Sequence, residues 1–297
     1  MSKHIDKITS SLLYPSRCHL GEGPVWDHKT KSCFWVDIEN GILYQYDWLD
    51  KTAKSWKFNH KVTLVIPDYN GSLILALDRS IQRFDPESKK LEWLAGVDNS
   101  LTENRCNDGR CDSRGRLWIG TMNMNLTKNC GALYCINRQH QVTKKLEDVS
   151  ISNGLAWSID NKRLFYIDTP TRLVKSFLFD EETGEIIFEK NVIVIPEETG
   201  SPDGMTIDEE GMLWIAHWGG HGVYRWNPLN GKLIGKIEVP APHVTSCAFV
   251  GDDLDHLIIT TARQDLSEND LLRYPESGDV FIAKTKVKGV RQNKCNI

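Results

Sequence analysis

Four residues with oxygen-bearing side chains, each followed by glycine, recur along the 297-residue chain: Glu22-Gly23, Asp108-Gly109, Asn153-Gly154 and Asp203-Gly204. Each pair opens a short strand-like run, then a polar turn, then a second run rich in Trp, Phe or Tyr. The runs are PVWD before CFWVD, RCDSRG before RLWIG, LAWSIDNK before RLFYID and MTIDEEG before MLWIA. Carboxylate and amide oxygens suit a hard divalent cation. Glu22, Asn153 and Asp203 offer two negative charges and one neutral oxygen, which leaves coordination positions for water or substrate. A cation with open positions polarises a carbonyl and acidifies a bound water. A carboxylate beside it acts as general base or positions that water. The combination fits hydrolysis of an activated ester; amide hydrolysis fits less well, since no acid for the leaving group is evident. The run NRCNDGR (104–110) adds Arg105 and Asn107. An Arg fork anchors carbonyl or hydroxyl oxygens, and Asn both donates and accepts, as sugar hydroxyls require. They read as a polyol-binding edge; the competing role for Arg105 is to neutralise the neighbouring carboxylates. Cys106, in the same run, is a candidate reactive thiol.

The elements that must position these residues follow from the spacing. The second runs are anchored at Phe34, Leu73, Leu117, Leu164, Leu213 and Leu257, at intervals of 39, 44, 47, 49 and 44. A third strand-like run follows each: ILYQYD (42–47), SIQRFD (80–85), ALYCIN (132–137), VKSFLFD (174–180), GVYRWN (222–227) and DVFIAK (279–284). A fourth fits most gaps, as in KSWKF (54–58), KLEWLAG (90–96) and VTKKLED (142–148). Turns at YNGS, DSRG, DEEG, LNGK and ETGE punctuate the runs. Six units with a repeat of about 40–50 residues predict an all-β, six-bladed β-propeller with four-stranded antiparallel blades. A sandwich or barrel is the alternative. Equivalent positions of a cyclic repeat converge on one axis, so Glu22, Asp108, Asn153 and Asp203 are expected to cluster there, with a metal site on the central axis. Blades two and six lack the pair, offering Val62-Thr63-Leu64-Val65-Ile66 and Val244-Thr245-Ser246-Cys247. The lopsided cluster argues for a site rather than a structural ring. Ser10–Leu20 is expected to supply a strand that closes the ring against the last blade, and no helix of convincing length is evident.

Length alone would suggest about two domains. The repeat overrides this, and residues 1–297 are expected to form a single propeller domain. A net charge of -4 from 36 basic and 40 acidic residues gives no electrostatic footprint for nucleic acid. The N-terminus lacks the apolar core of a signal peptide, and no apolar run approaches the ~20 residues that span a bilayer. A cytoplasmic protein without a membrane partner is expected. The eight cysteines form no CxxC pair, and their spacing is not a zinc signature, so reduced thiols are expected. No GxSxG, HExxH or P-loop appears. His217 and His221 flank WGG in AHWGGHG but follow a second strand, away from the ligand positions, and read as surface or inter-blade residues. The ten tryptophans read as blade packing rather than as a carbohydrate platform, with Trp218 the least settled.

At these residues the chain resembles the SMP-30/gluconolactonase/regucalcin family. The matching stretches are LGEGPVWD (20–27), NRCNDGRCDSRGRLWIGTM (104–122), GALYCI (131–136), ISNGLAWSIDNKRLFYID (151–168), SPDGMTIDEEGMLWIA (201–216), VTSCAFVG (244–251) and LLRYPESGDVF (271–281). The resemblance implies a six-bladed propeller of metal-dependent lactonases that open sugar lactones such as gluconolactone. It implies Glu22, Asn153 and Asp203 as metal ligands, Arg105 and Asn107 as substrate-holding residues, and Asp203 as the base; Asp108 is a further candidate on the substrate side. Animal members also carry a substrate-contacting glutamate after the GTM motif. In GTMNMNLTKNCGALY (120–134) the nearest matching position is Asn125 and the loop is shorter, so a lid contact that bears on the choice of sugar has changed. The implied cofactor is one divalent metal ion, calcium first, with magnesium, manganese, zinc or iron as alternatives; oxygen-only coordination disfavours a dedicated zinc site. The implied partner is a small-molecule sugar lactone, for a monomer or weak homodimer. Two other functions stay open: a calcium-binding regulatory propeller without catalysis, and an esterase acting on a non-sugar ester. Related propellers of the latter kind use active-site histidines, for which His19 and His243 are the nearest in sequence.

Overall fold

The second run of each unit is apolar at nearly every position instead of alternating, and the computed structural model, which describes residues 5–297, shows why. Ser32–Asp37, Leu73–Leu77 and Leu117–Asn123 are buried along their whole length, because each lies inside a blade covered on both faces by its neighbours. A short unbroken apolar run is the signature of such a strand. The outermost strands, such as Val142–Val149, are largely exposed and polar.

Six sheets succeed one another around the ring. From the axis outward, the first is Gly21–Asp27, Ser32–Asp37, Ile42–Asp47 and Ala53–Lys57. The second is Val62–Pro67, Leu73–Leu77, Ser80–Phe84 and Leu91–Gly96. The third is Asn104–Cys111, Leu117–Asn123, Gly131–Ile136 and Val142–Val149. The fourth is Ser152–Trp157, Arg163–Asp168, Leu173–Phe179 and Ile186–Val194. The fifth is Ser201–Ile207, Leu213–Trp218, Gly222–Asn227 and Lys232–Glu238. The sixth has Val244–Val250, His256–Thr261 and Val280–Lys284, and borrows its outer strand, Ser11–Tyr14, from the other end of the chain. The expected closing strand is therefore present and antiparallel. Arg17 N–H donates to Asp279 and Cys18 N–H to the Gly278 carbonyl, continuing the join.

Two features depart from the sequence reading. Asp6–Thr9 adds a fifth, parallel strand to the edge of blade five, beside Lys232–Glu238. A short helix, Glu268–Arg273, interrupts the connection between Thr261 and Val280, started by a capping box between Ser267 and Asp270. At 6 residues it is too short for a helical period to show. Among the described residues no helix is long and apolar enough to cross a membrane.

Most tryptophans pack between blades, as expected. Trp118, Trp157 and Phe179 meet edge to face at 5.8–5.9 Å between the third and fourth. Trp93 is the exception, 64% exposed on the outer strand of blade two. The last stretch, Lys288–Ile297, straps one end of the channel. Gln292 accepts from Trp26 N–H, Asn293 donates to the Cys111 carbonyl, Cys295 N–H bonds to Pro67, and Arg83 bonds to the Ile297 carbonyl. This strap floors the cavity lined by Gly23, Asp108, Arg110 and Ser246.

Candidate metal centre and active site

Each inner strand breaks register beside its ring residue. In blade one, Glu22 faces Val36 and pairing resumes at Val25 opposite Phe34. In blade four, Asn153 faces Ile167 and Leu155 faces Tyr166. Blades three and five break between Cys106 and Gly109 and between Pro202 and Met205. Such bulges re-aim side chains, here toward the axis. The glycines answer local demands: Gly23 takes a positive φ of 56°, Gly109 packs against the Trp118 carbonyl of its own blade, and at Gly154 and Gly204 the neighbouring inner strands nearly touch. A Cβ on Gly154 would lie 2.7 Å from Met205 Cβ and 2.8 Å from the Asp203 carbonyl oxygen; one on Gly204 would lie 2.1 Å from Ser246 Oγ.

The two blades without the pair have an identifiable equivalent. Asn153 and Asp203 lie four residues before Trp157 and Ile207, which face Leu164 and Leu213. Counting back likewise from Pro67 opposite Leu73 and from Phe249 opposite Leu257 reaches Thr63 and Thr245. The Thr245 hydroxyl donates to the Gly21 carbonyl. The Thr63 hydroxyl is buried without a partner. The ring is thus charged or amide-bearing in four blades and neutral in two.

A hydrogen-bond chain organises the charged side. Arg105 Nη1 donates to Asn107 Oδ1 at 2.6 Å, and Asn107 Nδ2 donates to Asn153 Oδ1 at 3.0 Å and to the Ser152 carbonyl at 2.7 Å. Asn153 Nδ2 donates to Thr169 Oγ1 at 2.7 Å, which donates to the Pro202 carbonyl at 2.8 Å. The chain runs from blade three through blade four to the residue before Asp203. It holds the Asn153 amide with its nitrogen toward Thr169 and its oxygen toward Asn107.

The carboxylates share one field. Burial, then Asp108, raises the Glu22 carboxyl to about 8, against the Gly23 N–H and Arg105. Burial, then Glu22 and Asp108, holds Asp203 well above the usual carboxylate range. Asp108 is raised by burial as well, opposed by Arg110 and by the Gly109 N–H, which donates to it at 2.7 Å. Glu22 and Asp108 keep some surface in the channel, yet protein surrounds them closely enough for burial to dominate. Arg105 is itself lowered by burial; Glu39 opposes this most, ahead of Glu22.

The donor set fits a hard divalent cation. Glu22 and Asp203 are two carboxylates whose negative charge is costly to bury unpaired, and the Asn153 amide oxygen is the third donor. Among the described residues no three acidic, His or Cys side chains form a cation site by themselves. Asp108 accepts from the Gly109 N–H and adds its charge to the field on Glu22 and Asp203.

The remaining expected residues divide. Asn125 is exposed on the loop after Leu117–Asn123, where its side chain donates to Glu103, two residues ahead of Arg105. Cys106 is fully buried and its thiol is pushed up to about 12, which rules against the alternative of a reactive nucleophile there. His217 is buried inside blade five, stacked on Tyr224 at 4.0 Å with Nδ1 on the Thr199 carbonyl, a structural role within the blade rather than at the surface or between blades. His19 is exposed, and His243 stacks on Trp218. Sequence reasoning missed Thr169 and Glu39. Both sit in connecting segments without periodicity, and the pairing of Glu39 with Lys61 has no local signal.

The sequence pattern of the SMP-30/Gluconolactonase/LRE-like region matches residues 20–263, which contain every member of this ring. The chain belongs to this family. Human regucalcin is 34% identical over 292 residues, covering 96% of this chain and 98% of that protein. A Bacillus subtilis protein provisionally named sugar lactone lactonase YvrE is 35% identical over 274 residues, covering 92% and 94%. The crystal structure of regucalcin from Agrobacterium tumefaciens, described as a calcium-binding protein, superposes with a TM-score of 0.94 at 27% identity, covering 98% of this chain and 99% of that one.

Proposed function

We propose that this protein is a divalent-metal-dependent lactonase that hydrolyses a sugar lactone to the aldonic acid. The observation that carries the reading is the pair of closely surrounded carboxylates Glu22 and Asp203, the second raised by burial and then by the charge of the first, beside the Asn153 amide, which Asn107 of the Arg105–Asn107 edge holds by a hydrogen bond. The names of the relatives support it: sugar lactone lactonase for the Bacillus protein, and gluconolactonase in the family's description. Calcium is the first candidate ion, by likeness to the calcium-binding Agrobacterium protein.

Glu22, Asn153 and Asp203 would hold the ion, which when bound polarises the ester carbonyl and lowers the pKa of water. Arg105, fixed through Nη1 on Asn107, turns its other guanidinium donors to substrate oxygens. Asn107 presents the hydroxyl-binding edge beside it. Asp203 is the general base: burial and the neighbouring carboxylates make its oxygens proton-seeking. It takes one proton from the attacking water as the water oxygen bonds to the lactone carbonyl carbon. The ring carbon–oxygen bond then breaks, and the same proton passes to the released alkoxide, giving the hydroxy acid. The strap across the far end of the channel leaves the opposite mouth for substrate.

The test is hydrolysis of glucono-, galactono-, xylono- and arabinono-lactones by metal-stripped protein, followed with a pH indicator as each divalent metal is restored. Metal-restored turnover on one of them is expected. Tight metal binding with no turnover on any lactone would replace this reading with a calcium-binding propeller lacking catalysis.

A further inference from the structure

We propose that Trp218 is the specificity wall of the substrate mouth: it takes the apolar C–H face of the lactone ring while Arg105 and Asn107 take its hydroxyl edge. The inference rests on the lactonase reading of the same site and names the kind of substrate it admits.

Trp218 ends the second strand of blade five and pairs with Ser201, two residues ahead of Asp203. It therefore stands at the rim where the inner strand carrying Asp203 enters the ring. From there a series of backbone contacts steps around the mouth. Trp218 bridges to His243, His243 accepts from the Ala262 N–H, and Ala262 bridges to Leu20, two residues ahead of Glu22. The indole packs against the apolar group that contains Leu20 and Ala262. Trp218 thus covers the sector between the strands bearing the two carboxylates. That sector belongs to blade six, whose ring position is the neutral Thr245.

The indole is fixed but not sealed. The His243 imidazole stacks on it at 4.0 Å and 13°, and is itself held by Nδ1 on the Gln264 carbonyl at 2.9 Å. Trp218 stays partly accessible, whereas the indole nitrogens of Trp26, Trp35, Trp157 and Trp226 are buried without partners. Trp48 and Trp56 are also partly accessible, but they lie in the outer half of blade one, whereas Trp218 stands at the rim beside the strand of Asp203. In a six-blade ring, blade six lies opposite blade three, which carries Arg105 and Asn107. The mouth therefore has a hydrogen-bonding edge on one side and an aromatic face on the other, the usual division of labour in small-molecule sites. A sugar lactone has both surfaces: hydroxyls around its rim and a C–H face. A linear polyol lacks the flat face, and a deoxy lactone lacks the rim.

The test compares wild type, Trp218→Phe and Trp218→Leu on the best aldonolactone of the panel, with melting temperature recorded for each. Trp218→Leu is expected to raise KM about tenfold with kcat within about twofold, the mark of lost uniform binding. Trp218→Phe, which keeps a ring, is expected to stay within about threefold of wild type. 1,5-Anhydroglucitol, which keeps the sugar ring but has no ester to hydrolyse, should quench the fluorescence of wild type but not that of Trp218→Phe, a readout independent of turnover. Unchanged KM in Trp218→Leu, or a joint fall in kcat and melting temperature that Trp218→Phe shares, would overturn the wall. Wild type that hydrolyses no lactone but shows Trp218-dependent quenching by 1,5-anhydroglucitol would sink the lactonase reading while keeping the wall. Neither turnover nor quenching would sink both.

Discussion

Removing the divalent ion and raising the pH should destabilise this protein together, and either remedy should rescue it. The Glu22 carboxyl lies at about 8 in the folded protein, against 4.5 ordinarily. Between those values the folded state keeps a proton that the unfolded chain has released. Stability therefore falls as pH rises through that window, and the loss is complete above about 8. Each pH unit is worth about 1.4 kcal/mol, so Glu22 alone would cost on the order of 5 kcal/mol if wholly enclosed. Its residual contact with the channel reduces this to a few kcal/mol. Asp203 pushes in the same direction and titrates with Glu22 as a pair. For a chain of this size the loss amounts to about 5–10 °C in Tm. An ion at a hundred times its Kd returns about 2.7 kcal/mol. The assay is thermal unfolding by circular dichroism at pH 5, 6.5 and 8, in chelator and in excess calcium or magnesium. The expected curves diverge with pH, flat with ion and falling without it. Glu22→Gln should flatten the chelator curve and abolish the rescue. A chelated wild type with the same Tm at pH 5 and pH 8 would refute the reasoning, as would an unchanged slope in Glu22→Gln.

Four further outcomes follow from the geometry. Asp203→Asn should lower kcat by at least ~10³-fold with a near-native circular dichroism spectrum, because its side chain faces the channel and packs in no blade core; retention of a tenth of the activity would remove it as the base. Thr169→Val should weaken ion affinity about 10- to 100-fold by releasing the Asn153 amide, and calorimetric titration showing no change would mean Asn153 needs no anchor. Gly154→Ala places a methyl group 2.7 Å from Met205 Cβ and should cost about 1–3 kcal/mol, so an unchanged urea midpoint would show that the inner strands can part there. Iodoacetamide should label Cys130 in the native protein and the seven buried cysteines after unfolding; fast native alkylation of Cys106 in a peptide map would contradict its raised pKa.

The recurring polar-Gly pair was legible because two constraints fall on adjacent positions. A side chain must face the axis, and the next residue must have no Cβ where a neighbouring strand passes, as Gly154 beside Asp203 and Gly204 beside Ser246 show. Both leave marks in the residue types, and the uniformly buried second strands leave a third. Where only one constraint acts, the mark is lost. Thr63 and Thr245 occupy the same ring position, but Leu64 and Ser246 follow them, and their equivalence emerges only from strand register. Asp6–Thr9 adds to an already complete blade, and DKIT carries no pattern that requires a fifth strand. Thr169 and Glu39 act from connecting segments, where contact across blades, not local spacing, selects the residue. The same logic bears on function. A symmetric ring of six carboxylates could hold an ion but could not orient a lactone. Replacing the acid by an amide at Asn153 and by hydroxyls at Thr63 and Thr245 breaks that symmetry. On the proposed lactonase reading, it leaves two carboxylates for the ion, a third carboxylate in their field, and a neutral sector toward Trp218 where a ring with one apolar face would lie in a single orientation.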